Sequence, residues 1–220
     1  MRSSKAADQG DSVTTEDQYI QRVIHDHPLA TIYTTAEDGP LIDHLPVLAL
    51  PARAAAEENA RPVLQAHVAR SNPVWRLWRQ EQPLALVFHG PQRYISPNWY
   101  ASRTADGRVA PTWNYLTVHA HVLPRVIDDG DWMRDFLQRL SHRLEADQAE
   151  PWNLPSAPDD YIAGLLRGVI GVEFQVMDWR LNAKMSQDQP PQNRATVIEQ
   201  LASSGEPDDQ RMVEWIKRLN

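Results

Sequence analysis

Ala85 to His121 reads ALVFHGPQRYISPNWYASRTADGRVAPTWNYLTVHAH. The stretch sets strand-like apolar runs among Trp99, Tyr100, Trp113 and Tyr115, with His89, His119 and His121 close by. Pro91, Pro97 and Pro111 fix φ and remove amide donors, so the backbone is stiff where the rings are presented. Large flat side chains on a stiff backbone describe the wall of a pocket for a planar heteroaromatic ligand.

Working outward, Thr15 to His27 has the apolar spacing of an amphipathic helix with Glu16 and Asp17 in its first turn. Leu29 to Thr35 alternates, Glu37-Asp38-Gly39 is a turn, and Leu41 to Leu50 is expected as the returning strand of a hairpin. Pro51 to Pro62 has the composition of a surface loop. Pro62 to Val68 is a further strand, followed by a helix opened by Ser71-Asn72-Pro73. Strands are predicted over Leu84–His89, Leu116–Ile127 and Gly168–Trp179, with a loop over Thr104–Arg108. Helices are predicted over Asp131–Ala146, from Pro158 to Arg167, and as a C-terminal pair broken at Gly205-Glu206-Pro207. Five or six strands that do not alternate strictly with helices argue against a doubly wound parallel sheet and for a barrel-centred α+β domain. Met1 to about Thr15 has no hydrophobic period and is expected to be a disordered tail, leaving 16–220 as one domain.

With 29 acidic and 22 basic residues the formal charge is −7, and no Lys/Arg block offsets it, so direct DNA binding is disfavoured. The chain has no cysteine, which excludes disulfides and thiolate chemistry and suits a cytoplasmic location. Neither a signal peptide nor an apolar run of membrane-spanning length is visible. His119 and His121 share a strand face, but no third ligand lies at diagnostic spacing, so no metal is expected. No GxSxG, P-loop, GxGxxG or HExxH motif is present.

Three segments are candidates for ligand contact. His67, Val68, Ala69, Arg70, Ser71 and Asn72 run from a strand into a helix start, where free N–H groups and Arg70 suit a phosphate; an ordinary cap with a solvated Arg70 is the alternative. Trp113 and Asn114 offer an indole and an amide to a ring system, or plug a barrel end. Lys184, with Ser186 and Gln187, either neutralises a phosphate or forms a plain strand exit.

HPLATIYT at His27 to Thr34, DHLPVL at Asp43 to Leu48, HVARSNPVW at His67 to Trp75 and GPQRYISPNWY at Gly90 to Tyr100 occur in order. VAPTWNYLTVHAH ending at His121, PWNLPSAPDDYI at Pro151 to Ile162 and KMSQ at Lys184 follow. Together they resemble the PaiB family, described as FMN-binding negative transcriptional regulators. The resemblance implies an FMN-binding split β-barrel with peripheral helices, assembled as a homodimer with flavin at the subunit interface. It implies a phosphate near Arg70, Ser71 and Asn72, and an isoalloxazine along Thr31, Tyr33, His44, Leu45 and Pro46. The partner subunit would supply Trp113, Asn114 or the Lys184 to Gln187 segment. Two departures stand out. The family's Met-Tyr-x-Pro start is replaced by the polar tail, and its Gly-Lys-Phe-Lys-Leu-Ser-Gln-Asn segment is LNAKMSQD here. The functions implied are regulation through flavin or small-molecule sensing or, alternatively, FMN-dependent oxidoreduction. Haem binding ranks last, since no axial histidine stands out.

Overall fold

A computed structural model describes residues 15–50 and 62–220. The expected tail up to residue 14 and the loop over 51–61 lie outside the described residues. Helix α1 (Thr15–Asp26) leads into β1 (Leu29–Thr34) and β2 (Leu41–Pro46). The expected single strand Leu41–Leu50 is in fact two: β2 ends at Pro46 and β3 (Leu48–Ala49) begins after one residue, Val47. Then come β4 (Val63–Ala69), α2 (Val74–Trp78), β5 (Leu84–Ile95), α3 (Arg103–Asp106) and β6 (Thr112–Ile127). The chain closes with α4 (Gly130–Leu144), α5 (Asp159–Arg167), β7 (Val169–Lys184), α6 (Pro191–Ser203) and α7 (Pro207–Leu219).

All seven strands form one sheet in the order β2-β1-β5-β6-β7-β4-β3, every pairing antiparallel. Its two edge strands, β2 and β3, are consecutive in the chain and separated only by Val47. One residue spans only about 3.5 Å, so the sheet must coil until its edges meet. Val47 is buried at this corner and its N–H donates to Pro28 O at 2.8 Å. Among the described residues no strand ladder joins β2 to β3 or β4, so side chains hold the seam. Asn72 Nδ2 donates to Asp43 Oδ1 across it at 2.6 Å. This is an α+β split barrel, as the sequence implies.

Alternation decides what faces inward. Ala30 and Ile32, Leu86 and Phe88, and Leu116, Val118, Ala120 and Val122 are buried in one core with Leu64, Ala66 and Val68. Helices α1 and α7 pack on the same core through Ile20, Val23 and Ile24, and through Met212, Val213 and Ile216. Trp78 of α2 is fully buried and donates from Nε1 to Thr34 Oγ1 at 2.9 Å.

The predicted strands are too short where prolines or polar residues discouraged extension. Strand β5 continues past His89 to Ile95 through a bulge between His89 and Gln92, where Pro91 is tolerated because the ladder is interrupted. A Cβ on Gly90 in this bulge would lie 3.0 Å from the Leu116 carbonyl oxygen, so only glycine allows β5 to approach β6 so closely. Strand β6 starts at Thr112, β7 runs on to Lys184, and the expected loop at 104–108 overlaps the end of α3.

A second cluster covers the outside of β4 and β7. Helix α4 lays Met133, Phe136 and Leu140 there, and Trp132 stacks on Phe136 at 5.3 Å between centroids. Gly171 makes room for the Trp132 ring, which a Cβ would overlap. His67 meets Phe136 edge-on at 5.7 Å, and its Nδ1 is buried without a partner. Burial holds the His67 imidazole below its ordinary pKa of 6.5. The unfolded chain therefore binds the extra proton first as pH falls, and stability drops from pH 6.5 downward. Thermal melts of His67→Leu between about pH 7 and pH 5 should show a smaller fall in Tm than the wild type; an unchanged fall would show that His67 does not contribute.

Candidate functional site

The sheet's β2-β1-β5-β6-β7 portion has a second face, and the helices leave much of it bare. Residues directly opposite in an antiparallel pair project on the same side. The register therefore sets His44, Thr31, Val87, His119 and Arg180 in one cross-sheet row, and Ile42, Tyr33, Ala85, His121 and Asp178 in the next. On the other side of the first row, His89 faces Thr117, which faces Asn182. Gln92 then faces Tyr115 and Lys184, and Tyr94 faces Trp113. Exposed apolar surface concentrates here: Ile42 is 55% exposed, Trp113 50%, Tyr94 46%, Tyr33 39% and Tyr115 39%. Contiguous apolar area of this kind marks a binding surface.

A cavity of about 220 Å³ opens on this face, lined by His89, Gly90, Gln92, Trp113, Tyr115, Leu116 and Thr117. The Trp113 ring stands edge-on to Tyr94 at 6.1 Å between centroids, leaving half its surface free. Thr31 Oγ1 and His89 Nε2 are 3.3 Å apart, which ties β1 to the cavity wall. Asn182 Nδ2, across the sheet from Thr117, is buried without a hydrogen-bond partner. Partial burial first, then Arg180, His89 and His121, lower the pKa of His119.

Asn114 and Ser186 shape this wall from behind. Both are buried; Asn114 Nδ2 donates to Ser186 Oγ at 2.9 Å, fixing the turn that follows Lys184. Ser186 adopts φ 59°, an uncommon left-handed conformation for a residue with a side chain. Gln187 Oε1 accepts from the Met185 N–H at 2.5 Å, and Asn220 Nδ2 donates to Met185 O at 3.1 Å. The side-chain amide of Asn114 is thus spent on the protein, while Trp113 beside it faces outward.

The other predicted residues lie elsewhere. Leu45 and Pro46 flank the seam, Leu45 packing against the core. Val68 is in the core, His67 lies under α4, and Ala69 ends β4. Arg70 is not a free cation: Nη1 and Nη2 donate to Asp128 at 3.0 and 2.6 Å, and Nε donates to Arg167 O at 3.0 Å. Asn72 Oδ1 accepts from Val74 N–H at 3.0 Å, bracing the turn that leads into the five-residue α2, and Ser71 is exposed. The structure therefore separates the 67–72 segment from the aromatic cavity. It adds Gln92, Tyr115, Thr117, Arg180 and Asn182 to the exposed face. Alternation from Trp113 onward carries the signal for Tyr115 and Thr117, whereas Arg180 and Asn182 are missed when β7 is ended at Trp179.

A coiled antiparallel sheet with a split seam, a bare aromatic outer face and helices packed elsewhere defines the flavin-binding split-barrel class. Residues 11–178 match the family described as "Putative FMN-binding domain", and the chain belongs to that family, whose cofactor is FMN. It is 25% identical to the Bacillus subtilis protease synthase and sporulation protein PAI 2, over 92% of each chain. An uncharacterized Emericella nidulans protein is 28% identical over 84% of this chain and 86% of its own. The FAD and heme binding protein from Mycobacterium smegmatis superposes with a TM-score of 0.54 at 15% identity, covering 88% of this chain and 80% of that one. A flavocytochrome from Azotobacter vinelandii does so with a TM-score of 0.54 at 9% identity, covering 78% and 68%. These two likenesses concern the fold.

The residues on the outer face fit the cofactor. Trp113 and Tyr115, in the cavity wall, offer ring surfaces to an isoalloxazine. Asn114→Ala should lower stability by about 1–3 kcal/mol, the cost of stranding a buried partner. Denaturant unfolding of Asn114→Ala, Ser186→Ala and the double variant should give strongly non-additive losses; additive losses would show that the two side chains act separately.

Proposed function

We propose that this chain is an FMN-binding homodimer of the PaiB type that serves as a negative transcriptional regulator by sensing flavin or a small molecule. The observation that carries the proposal is the bare outer face, with Trp113, Tyr115, Tyr94, Tyr33 and Ile42 exposed together around an open cavity. A cavity open on one side and rimmed by apolar side chains is completed by a second copy meeting it across a twofold axis. Trp113, Tyr115 and Lys184 of one copy and Thr31, Tyr33 and His44 of the other would then enclose the flavin. A phosphate at Arg70, Ser71 and Asn72 would have to draw Arg70 away from Asp128.

When bound, FMN supplies hydride and one-electron chemistry. The chain's own residues orient the ring and exclude water once the dimer closes. Regulation through direct DNA contact is poorly supported. The net charge is −7, and α7, second of the C-terminal helix pair, carries the exposed Asp208 in its first turn, which repels phosphate. Helix α7 also buries Met212, Val213, Trp215 and Ile216 against the barrel. A protein partner or a metabolite is the better route.

One observation favours oxidoreductase action as a second reading: His89 lines the cavity and His119 lies within 3.5 Å of Thr117 Oγ1, which also lines it. Imidazoles there are within reach of a substrate bound in the cavity and can exchange a proton with it. Oxidation of NAD(P)H by the flavin-loaded protein tests this reading separately.

Trp113→Glu places a charge on the apolar face. Sedimentation should show the variant as a monomer at concentrations where the wild type is a dimer, and flavin fluorescence titration should show FMN affinity reduced at least about tenfold. A variant that stays dimeric and binds FMN normally would overturn the proposal.

A further inference from the structure

Beside the aromatic cavity, the outer face carries cationic and donor groups with little to neutralise them. His119 lies opposite Arg180 on β7, His121 follows two residues along β6, and His89 is close enough for its charge to act on His119. A hydroxyl and a side-chain amide lie among them. Thr117 Oγ1 is 3.5 Å from His119 Nε2, and the buried Asn182 Nδ2 has no acceptor. In these rows the only acid is Asp178, which meets Arg180 at 3.5 Å with both side chains about 60% exposed, a weak pair. After partial burial, Arg180, His89 and His121 disfavour the charged form of His119, a crowding of cationic side chains that an exposed surface has no structural need to bear. A bound cation is opposed by Arg180 and by the amide donor. An oxyanion is attracted by the guanidinium and can accept from the imidazoles and the amide.

We infer that His89, His119, His121, Arg180 and Asn182 form an anion subsite that holds a phosphate or carboxylate group against the sheet beside the aromatic cavity. The group can come from either of two sources: the flavin's own phosphate, or a separate anionic ligand bound alongside the flavin. The inference builds on the proposed flavin site for the first source and stands without it for the second. It also supplies a cation for a phosphate without drawing Arg70 away from Asp128.

The test begins with imidazole nitrogen and carbon NMR signals of the flavin-free protein at pH 6, titrated with inorganic phosphate and with benzoate. The signals of His89, His119 and His121 should move together with a common affinity for at least one probe, and His25 and His142 should not move. Arg180→Gln should weaken that affinity at least fivefold, with an unchanged Tm confirming the fold. FMN and riboflavin affinities of wild type, Arg180→Gln and His119→Gln then assign the source. Loss for FMN but not riboflavin assigns the flavin phosphate. Unchanged FMN affinity, with probe binding weakened in the FMN-loaded variant, assigns a separate ligand. If the wild type binds phosphate but no flavin, the flavin proposal falls and the subsite stands. Imidazole signals indifferent to both probes, together with FMN affinity unaltered by either substitution, would overturn the subsite.

Discussion

The single-residue link at Val47 constrains everything else. It joins the two edge strands of a seven-stranded sheet, so the sheet cannot lie open, and the corner is secured by burial of Val47 and its hydrogen bond to Pro28. Once coiled, the sheet has an inside that accepts Ile32, Phe88, Leu116 and Val172 and an outside that must be covered or used. Helix α4 covers the outside of β4 and β7, with Trp132 seated on Gly171. Over β1, β2, β5 and the first half of β6, aromatic and histidine side chains are left exposed.

Local devices then set the shape of that face. The Gly90-Pro91 bulge re-registers β5 on β6 at the cavity, and the Asn114–Ser186 hydrogen bond anchors the turn after Lys184 from the inside. Both work through backbone placement, so their effect on a ligand is indirect. Arg70 has the opposite character: its charge is fully engaged by Asp128 and by the Arg167 carbonyl, and it ties the end of β4 to the end of β6. A cation already held by a bidentate carboxylate is a fastening more readily than a receptor.

Much of this was legible in the residues. The β-branched alternation of LATIYT, the helix in Thr15–Asp26 and the break at Gly205-Glu206-Pro207 appear where local propensity and burial agree. Local reading failed where tertiary geometry overrode it. Val47 turns the corner inside an apolar run that has no turn residue other than Pro46, so the strand there reads as continuous. Pro91 reads as the end of β5 because a bulge that tolerates proline cannot be seen without the partner strand. Arg180 and Asn182 were hidden because WRLNAK, although it continues β7, mixes charged and apolar residues. The 67–72 segment has the composition of a phosphate site, and composition does not reveal that Asp128, 58 residues away, occupies the Arg70 guanidinium.

The central claim is that the outer face of β1, β5 and β6 serves both as flavin site and as the contact between two copies. A crystal structure of the protein grown with FMN tests it most directly. The account predicts an isoalloxazine against Trp113 and Tyr115, enclosed by a second copy that buries Ile42 and Tyr94. Flavin bound beneath α4 or at the Arg70 turn, with the outer face still open to solvent, would contradict it.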